Sequence, residues 1–466
     1  MINYIPVSQY KIEAFKSVLE LELDSDNRWI ELSKLLPWDR LVEVYKKKMD
    51  TSLGASAINP RIVIGAIYVK HKMKLSDVET IETIKENPYI QCFLGLSAFT
   101  DKPVFSPSLF VEIRKRLNIN DFDEINKILI RQGLSIDEIF SDSEDNDASE
   151  GDEDKPNPNG KRKGKLLMDA TVADQYIRFP TDIELLNDCR VISENLIDTL
   201  FKLSNLDAKP RTYRINARKD YLNCNKNRNS SNKDMRKSIK KQLDYLKRNL
   251  KTIDDLLDLF ENIAFPLSHK LQRKMFVIRE IYRQQQNMYN QKVKRCNDRI
   301  VSVHQPHVRP IKRGKSKNKT EFGAKLGVSL DSGFARIDTL SWDAYNESSD
   351  LIRQVLSYKS LHGYYPEVVL ADQIYATKEN RNWLKARGIR ITAKAMGRAK
   401  KDESVEQKRK RKKEAGERNA VEGKFGQAKN GYELNKIRAR RTNTSESWIG
   451  AIVFVTNIIN LISLST

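Results

Sequence analysis

The chain lacks the cysteine patterns that staple a small secreted domain or hold a structural zinc ion. Its 466 residues include four cysteines. They are widely scattered and form no Cys-x-x-Cys pair: Cys92, Cys189, Cys224 and Cys296. Disulfide frameworks and cysteine zinc sites both need closely patterned cysteines, so neither organises this protein. The distribution is typical of a reducing compartment.

Targeting and membrane signals are also missing from the pattern. Residues 1–20 show no basic start followed by an apolar core, so we expect no secretory signal. The longest apolar run, Trp448 to Leu464, is interrupted by Thr456, Asn457 and Asn460. We therefore expect a buried packing helix there, no membrane span and a cytoplasmic protein.

Negative charge is scarce relative to positive charge. Lysine and arginine number 83 against 62 aspartates and glutamates, which gives a formal net charge of +21. This excess favours a polyanionic partner, and nucleic acid first, although ribosomal and membrane-surface proteins are equally basic. The length suffices for two or three domains, each with its own core.

Residues 1–135 predict a small all-α domain. Pro60 to Lys70 is apolar nearly all round, as in a buried central helix, and Ser76 with Glu79 predicts a capping box. A further helix with basic edges follows Pro107. These helices suit DNA binding or dimerisation, and they suit a protein–protein module equally well.

The predicted linker covers residues 136–163 and contains an acidic tract at 141–154. Its few apolar groups cannot offset the entropy lost on ordering, so we expect disorder there.

From residue 164 to 466 the pattern predicts a mixed α/β domain. A strand begins at Lys165 and is followed by a long helical block at about 182–305. Later segments predict a hairpin, a helix, a strand ending at Asp372, a helix, a short strand and further helices. With the helical block treated as an insertion, this order is the one a ribonuclease-H-like fold needs.

Three acidic residues are candidates for one site. In a ribonuclease-H-like sheet the first and fourth strands are neighbours, which would bring Asp169 close to Asp372. Glu422 lies on a predicted helix, on one face with Arg418 and Lys429. The alternatives are an Asp169 at a solvent-facing edge and a Glu422 in ordinary surface ion pairs. Gly423 and Gly426, poor helix formers, would instead allow close approach to a neighbouring backbone.

Two rival sites lie nearby in the sequence. His304 and His307 have metal-like spacing, but Pro306 and the absence of a near third ligand favour a rigid turn. Asp174 remains an alternative first acid, although a five-residue offset turns it to the opposite face from Asp169. Asp182 is interpreted as part of a helix cap.

The chain resembles the DDE transposases of bacterial insertion sequences, in particular the IS-five-like branch. The resemblance rests on Met168-Asp-Ala-Thr-Val172 with Pro180-Thr-Asp182, on His304-Gln-Pro-His307 leading to Glu321-Phe-Gly-Ala-Lys325, on Ala371-Asp-Gln-Ile-Tyr375, and on Arg418-Asn-Ala-Val-Glu422-Gly-Lys-Phe425. The four pieces occur in the family's order. The acidic tract at 141–154 is not part of the family's pattern.

The resemblance implies that Asp169, Asp372 and Glu422 are catalytic and bind two Mg²⁺ ions, with Mn²⁺ as a substitute. Carboxylates without histidine or cysteine partners favour such hard cations. It implies double-stranded DNA as partner, both transposon ends and target, and a homodimer in the active complex in the nucleoid. Residues expected at the DNA backbone are Arg418, Lys429, Lys408, Arg409, Lys410, Arg411, Lys412 and Lys413.

Two other functions fit the same sequence. A transposase-derived regulator would bind DNA ends without cutting them, and a ribonuclease-H-like nuclease would cut without joining strands. Because all three acids are present, we expect the enzyme.

Overall fold

A computed structural model describes residues 6, 23–49, 58–141, 162–226, 231–260, 264–312, 320–393 and 405–465. The predicted acidic tract and residues 394–404, which precede the basic run at 408–413, lie outside this range. The chain divides into two compact units. The first comprises residues 1–174, 325–341 and 345–466, and the second comprises residues 175–324 and 342–344.

Among the described residues, seven helices precede the first strand. They are α1 (Arg28–Leu35), α2 (Trp38–Lys46), α3 (Pro60–Lys72), α4 (Asp77–Glu86), α5 (Pro88–Phe93), α6 (Leu109–Arg116) and α7 (Ile119–Ser141). The predicted capping box at the start of α4 is confirmed: Ser76 Oγ accepts from the Glu79 amide at 3.2 Å, and Glu79 Oε2 accepts from the Ser76 amide at 2.8 Å.

The second unit is built from helices that follow β1 (Lys165–Asp174). They are α8 (Asp182–Leu203), α9 (Arg214–Lys226), α10 (Asn232–Asp258) and α11 (His269–Gln291). Apolar stripes on α8, α10 and α11, including Leu186, Leu246 and Ile278, form its buried core. The short strand β2 (Arg309–Lys312) pairs antiparallel with Thr320–Gly323.

The remaining elements return to the first unit. They are β3 (Thr320–Asp331), β4 (Phe334–Ser341), α12 (Leu351–His362), β5 (Val368–Leu370), α13 (Lys378–Ala386), β6 (Arg390–Ile391), α14 (Val405–Gly426) and α15 (Thr442–Ser465). Between them, the described part of the chain also forms 3₁₀ turns at Glu347–Asp350 and Gln373–Tyr375 and a π-helical turn at Gln427–Gly431.

The strands of the first unit follow the order β4-β3-β1-β5-β6. β1 pairs parallel with β5, β5 pairs parallel with β6, and β3 and β4 form an antiparallel hairpin. The hairpin turns at Ser332 and Gly333, whose positive φ angles of 46° and 80° are those of a tight two-residue hairpin turn. The predicted mixed α/β class and the predicted hairpin are confirmed.

One strand and the start of one helix differ from the sequence prediction. The pattern gave no strand at Arg309–Lys312, because Pro310 lacks the amide that a strand ladder uses. The sequence pattern predicts the helix that carries Glu422 from Glu414 to Lys429, whereas α14 begins at Val405, nine residues earlier. The extra turns are mostly basic residues without apolar periodicity, which a hydrophobic pattern cannot detect.

Helix α15 is long and apolar enough to cross a membrane by length and composition alone, yet most of its side chains are buried in the protein. Phe454, Val455 and Ile458 share one core with residues of α2, α3 and α7. The expected packing helix is therefore confirmed. Because helices from both ends of the chain share this core, the domain boundaries at residues 135 and 163 stay a prediction.

Candidate active site

Asp169 lies on the face of β1 opposite the strand's core residues. Leu166, Met168 and Ala170 are buried, whereas Asp169 is half-buried. Its carboxylate accepts a hydrogen bond from the Ala170 amide at 2.8 Å. Burial raises the pKa of this carboxyl group, and the Ala170 hydrogen bond opposes that rise.

The parallel register brings Asp372 beside Asp169. Leu167 pairs with Leu370, so each aspartate lies two residues beyond a registered pair. Asp372 is exposed, and its side chain accepts from the Gln373 amide at 2.7 Å. The negative charge of Asp372 contributes to the raised pKa of Asp169. Asp169 and Asp372 therefore lie close together, as the sequence predicts.

Helix α14 lies along the same sheet and presents Arg418 to Asp169. Glu417 forms an ion pair with Lys165 of β1 at 2.7 Å, and the Glu414 carboxylate accepts a hydrogen bond from the Arg390 guanidinium of β6 at 2.8 Å. The Arg418 guanidinium lowers the pKa of Asp169, opposing the effect of burial. The helix is therefore anchored to β1 and β6 by two ion pairs, both in the turn that precedes Arg418.

Glu422 is exposed one helical turn beyond Arg418. Within the part of the chain that the structure describes, no three aspartate, glutamate, histidine or cysteine side chains are grouped closely enough to hold a metal ion. The structure thus brings two of the three expected acids together and leaves Glu422 outside that pair.

Sequence reasoning missed Glu347, which the fold brings to this site. Its carboxylate raises the pKa of Asp169 and forms a 2.8 Å ion pair with Lys325 of β3. Lys325 also donates to the Tyr345 carbonyl at 2.9 Å. Glu347 lies in a 3₁₀ turn with no periodic pattern, so the only available signal was Lys325, which belongs to the Glu321–Lys325 motif.

Two buried hydroxyl groups adjoin the acidic residues without hydrogen-bond partners among the described residues. They belong to Thr171, on the same face of β1 as Asp169, and Tyr375. Burial first, and then the charges of Glu347 and Asp169, raise the pKa of Tyr375.

The donor chemistry of the site suits a hard cation. Oxygen donors and concentrated negative charge suit Mg²⁺, which binds through one or two carboxylates and retained waters. The residues present therefore fit a hard divalent cation at Asp169 and Asp372.

The expected DNA-contacting residues are mostly on α14. Arg409, Lys410, Lys412 and Lys413 are exposed, whereas Arg418 and Lys429 are half-buried. The side chains of Lys408 and Arg411 lie outside the described residues. A Cβ added at Gly423 or Gly426 would meet no atom within 4 Å, so neither glycine allows a close backbone approach among the described residues.

The rival sites have structural explanations. The Val308 amide donates to the Gln305 carbonyl at 3.1 Å, which confirms the predicted turn. Burial lowers the pKa of His307 to about 4, with Arg309 acting in the same direction, and its ring packs against Trp342.

The backbone amide and carbonyl of Asp174 pair with Leu434 and Ile437. The side chain that caps α8 is that of Thr181. The Asp182 carboxylate instead accepts hydrogen bonds from the side chains of Gln285 and Arg299. The cap role expected for Asp182 is therefore wrong.

Comparison with known families and proteins matches both ends of the chain. Residues 369–461 match the family described as "Transposase DDE domain", and residues 17–116 match "Transposase domain (DUF772)". The first match includes Asp372 and Glu422, and Asp169 lies before it. A Rhizobium meliloti protein, described as uncharacterized protein ORF8 in the nfe locus, is 25% identical over 178 residues, which are 38% of this chain and 76% of that protein.

Proposed function

We propose a function for this chain from its membership of the DDE transposases of bacterial insertion sequences. It binds the terminal inverted repeats of a mobile element. It then cuts and rejoins DNA strands at a site formed by Asp169, Asp372 and Glu422. The observation that carries the proposal is the approach of Asp169 to Asp372 across two parallel strands, with Arg418 beside them. The assignment to the IS-five-like branch stays a prediction.

A ribonuclease-H-like catalytic domain is part of this proposal. The order β4-β3-β1-β5-β6, with an antiparallel hairpin on one side of β1 and parallel strands on the other, supports it. The long helical segment between β1 and β2 is then an insertion into that domain.

Asp169 and Asp372 would hold divalent cations, with Glu422 as the third acidic ligand and Mn²⁺ able to replace Mg²⁺. When bound, two such ions supply charge neutralisation at the phosphorus and an activated water or 3′-hydroxyl. Arg418 would hold the phosphodiester beside the acids and offset their mutual repulsion. The Lys325–Glu347 ion pair would keep a further negative charge fixed next to Asp169.

The exposed cations on the first turns of α14 would bind DNA phosphates, and Lys429 would contact the backbone beyond Glu422. We also propose a homodimer, because two transposon ends must be paired, and action in the cytoplasm on the nucleoid. A regulator that binds ends without cutting is the alternative from a different class.

Strand cleavage on DNA that carries the element's own ends tests the proposal. With Mg²⁺, we expect Asp169→Asn, Asp372→Asn and Glu422→Gln each to reduce cleavage by roughly two orders of magnitude or more, because each removes a proposed metal ligand. Binding, measured in parallel by fluorescence anisotropy, should stay within about threefold of wild type.

Matched controls exist on the same elements. Asp174→Asn changes the acid that ends β1, and Glu406→Gln changes an exposed acid in the first turn of α14. Both should cut at rates near wild type. Normal cleavage by a triad variant would remove that residue from the site, and a wild-type protein that binds ends but never cuts them would establish the regulator.

A further inference from the structure

A second, basic cavity lies in the first compact unit and shares no residue with the acidic site. Its volume is about 230 Å³. Segments near residues 70–77, 114 and 432–448 contribute to its wall. We call it the Trp448 cavity, and the residues that matter are Lys70, Asp77, Arg114, Glu433, Arg438 and Trp448.

Cations outnumber carboxylates in the Trp448 cavity. Lys70 Nζ lies 2.9 Å from Asp77, and Arg114 donates to both oxygens of the same carboxylate at 3.0 and 2.8 Å. Arg438 pairs with Glu433 at 3.2 Å. Three cations therefore face two carboxylates, and exposed Lys74 adds a further positive charge at the edge.

Part of this positive charge is buried, because the side chains of Lys70 and Arg114 are 3% and 14% exposed. Burial lowers the pKa of Lys70, the Asp77 carboxylate opposes that shift, and the charges of Arg114 and Arg438 act in the same direction as burial. His71 adds no charge near neutral pH, because complete burial holds its pKa well below the usual value. An anion in the cavity would offset the repulsion among these cations.

Trp448 is a second feature of the cavity that favours a hydrogen-bond acceptor as its ligand. The residue is 8% exposed, and its ring lies 4.9 Å from Lys70 Nζ and 5.3 Å from Arg114 Cζ. Its indole N–H has no hydrogen-bond partner among the described residues. A buried donor without an acceptor is costly, and a ligand oxygen would satisfy it.

We propose that the Trp448 cavity binds one phosphate group of the DNA backbone. The cations of the cavity outnumber its two carboxylates, and the Trp448 N–H adds a donor without a partner among the described residues, a combination that suits an oxyanion, which only accepts hydrogen bonds. At about 230 Å³ the cavity is large enough to hold a phosphate group. That the phosphate belongs to DNA rests on the proposed function, in which the protein binds DNA. The cavity itself is separate from the acidic site.

Two substitutions in the full-length protein test the cavity. Arg438→Gln removes a cation at its edge, and Trp448→Phe keeps an aromatic ring while removing the N–H donor. Duplex DNA affinity is measured by fluorescence anisotropy across a range of NaCl concentrations.

We expect Arg438→Gln to weaken binding roughly tenfold, Trp448→Phe roughly threefold, and the salt slope to fall by about 0.9 for Arg438→Gln. The controls are Arg440→Gln, two residues from Arg438, and Trp383→Phe, whose ring packs on Tyr365. Both should bind within about twofold of wild type, and thermal melting confirms that every variant folds.

Inorganic phosphate distinguishes the source of the oxyanion. Calorimetry with phosphate alone should show weak binding that both cavity variants lose, and phosphate should compete with DNA. Loss of phosphate binding with unchanged DNA affinity would overturn the DNA assignment in favour of a free anion. Unchanged affinity for both ligands would overturn the site.

The outcomes separate this proposal from the catalytic one. Cavity-dependent DNA binding without strand cleavage would support the cavity and overturn only the cutting activity. Normal cleavage with DNA affinity unaffected by both substitutions would overturn only the cavity. A wild-type protein that binds no duplex DNA would overturn both.

Discussion

Lys424 shows how one buried charge on α14 makes the stability of the fold depend on pH. Its Nζ donates to the Thr456 carbonyl of α15 at 2.9 Å. Burial lowers its pKa from 10.5 to about 8. Below pH 8 the protein holds a buried charge that the unfolded chain solvates, so the native state is destabilised. Between pH 8 and 10.5 the native state loses this proton first, and stability rises with pH.

Replacing Lys424 with Met should therefore stabilise the protein at pH 7 by on the order of 2–3 kcal/mol, since the charged form carries most of the penalty. The gain should shrink as pH rises from 8 towards 10.5. Urea unfolding at several pH values measures both effects. Lys412→Met, an exposed change on the same helix, should show neither, and a pH-independent gain for Lys424→Met would rule out the charge as its cause.

At the scale of elements, the contact between α15 and α7 depends on the lack of a side chain at Gly450. A Cβ at this position would lie 2.8 Å from the Phe122 Cβ of α7. Phe122 also packs against Phe454, one turn further along α15. The two helices can approach this closely only because position 450 has no side chain.

Gly450→Ala should destabilise the protein by about 1–3 kcal/mol, because the added methyl forces α15 and α7 apart. Gly416→Ala is the matched control on α14, where an added Cβ meets nothing within 4 Å. That change should stabilise by about 0.5–1 kcal/mol through helix propensity alone. Guanidinium unfolding of both variants measures the contrast, and equal effects would contradict the packing argument.

At the scale of the whole molecule, the net charge of +21 should make DNA binding strongly dependent on salt. If six to ten phosphates are neutralised, affinity should fall by roughly 10³–10⁵ between 50 and 200 mM NaCl. Changing Arg409, Lys410, Lys412 and Lys413 together to Gln should lower the slope of log K against log salt by up to about 3.6. Fluorescence anisotropy with one duplex at several salt concentrations measures this slope.

A control triple change affects paired cations that lie outside both α14 and the Trp448 cavity. Lys46, Lys85 and Lys115 each pair with a glutamate three residues earlier at 2.6–2.8 Å. Their replacement by Gln should leave the slope nearly unchanged. A loss of slope in proportion to the charges removed, four in one variant and three in the other, would mean that net charge, and not the α14 cations, governs binding.

The sequence by itself determined the local structure, because local structure depends on neighbouring residues. The capping box at Ser76, the hairpin turn at Ser332–Gly333 and the strand carrying Asp169 all follow from short patterns. Arg309–Lys312 was missed because a proline interrupts the strand pattern, and the start of α14 because its first turns have no apolar period.

The tertiary structure decided which distant residues meet. The parallel register of β1 and β5 places Asp169 beside Asp372, Glu347 arrives there from an irregular turn, and Glu422 stays outside the pair. Trp448 likewise joins Lys70 and Arg114 from widely separated segments. Such contacts depend on how whole elements pack, and no pattern along the chain records that packing.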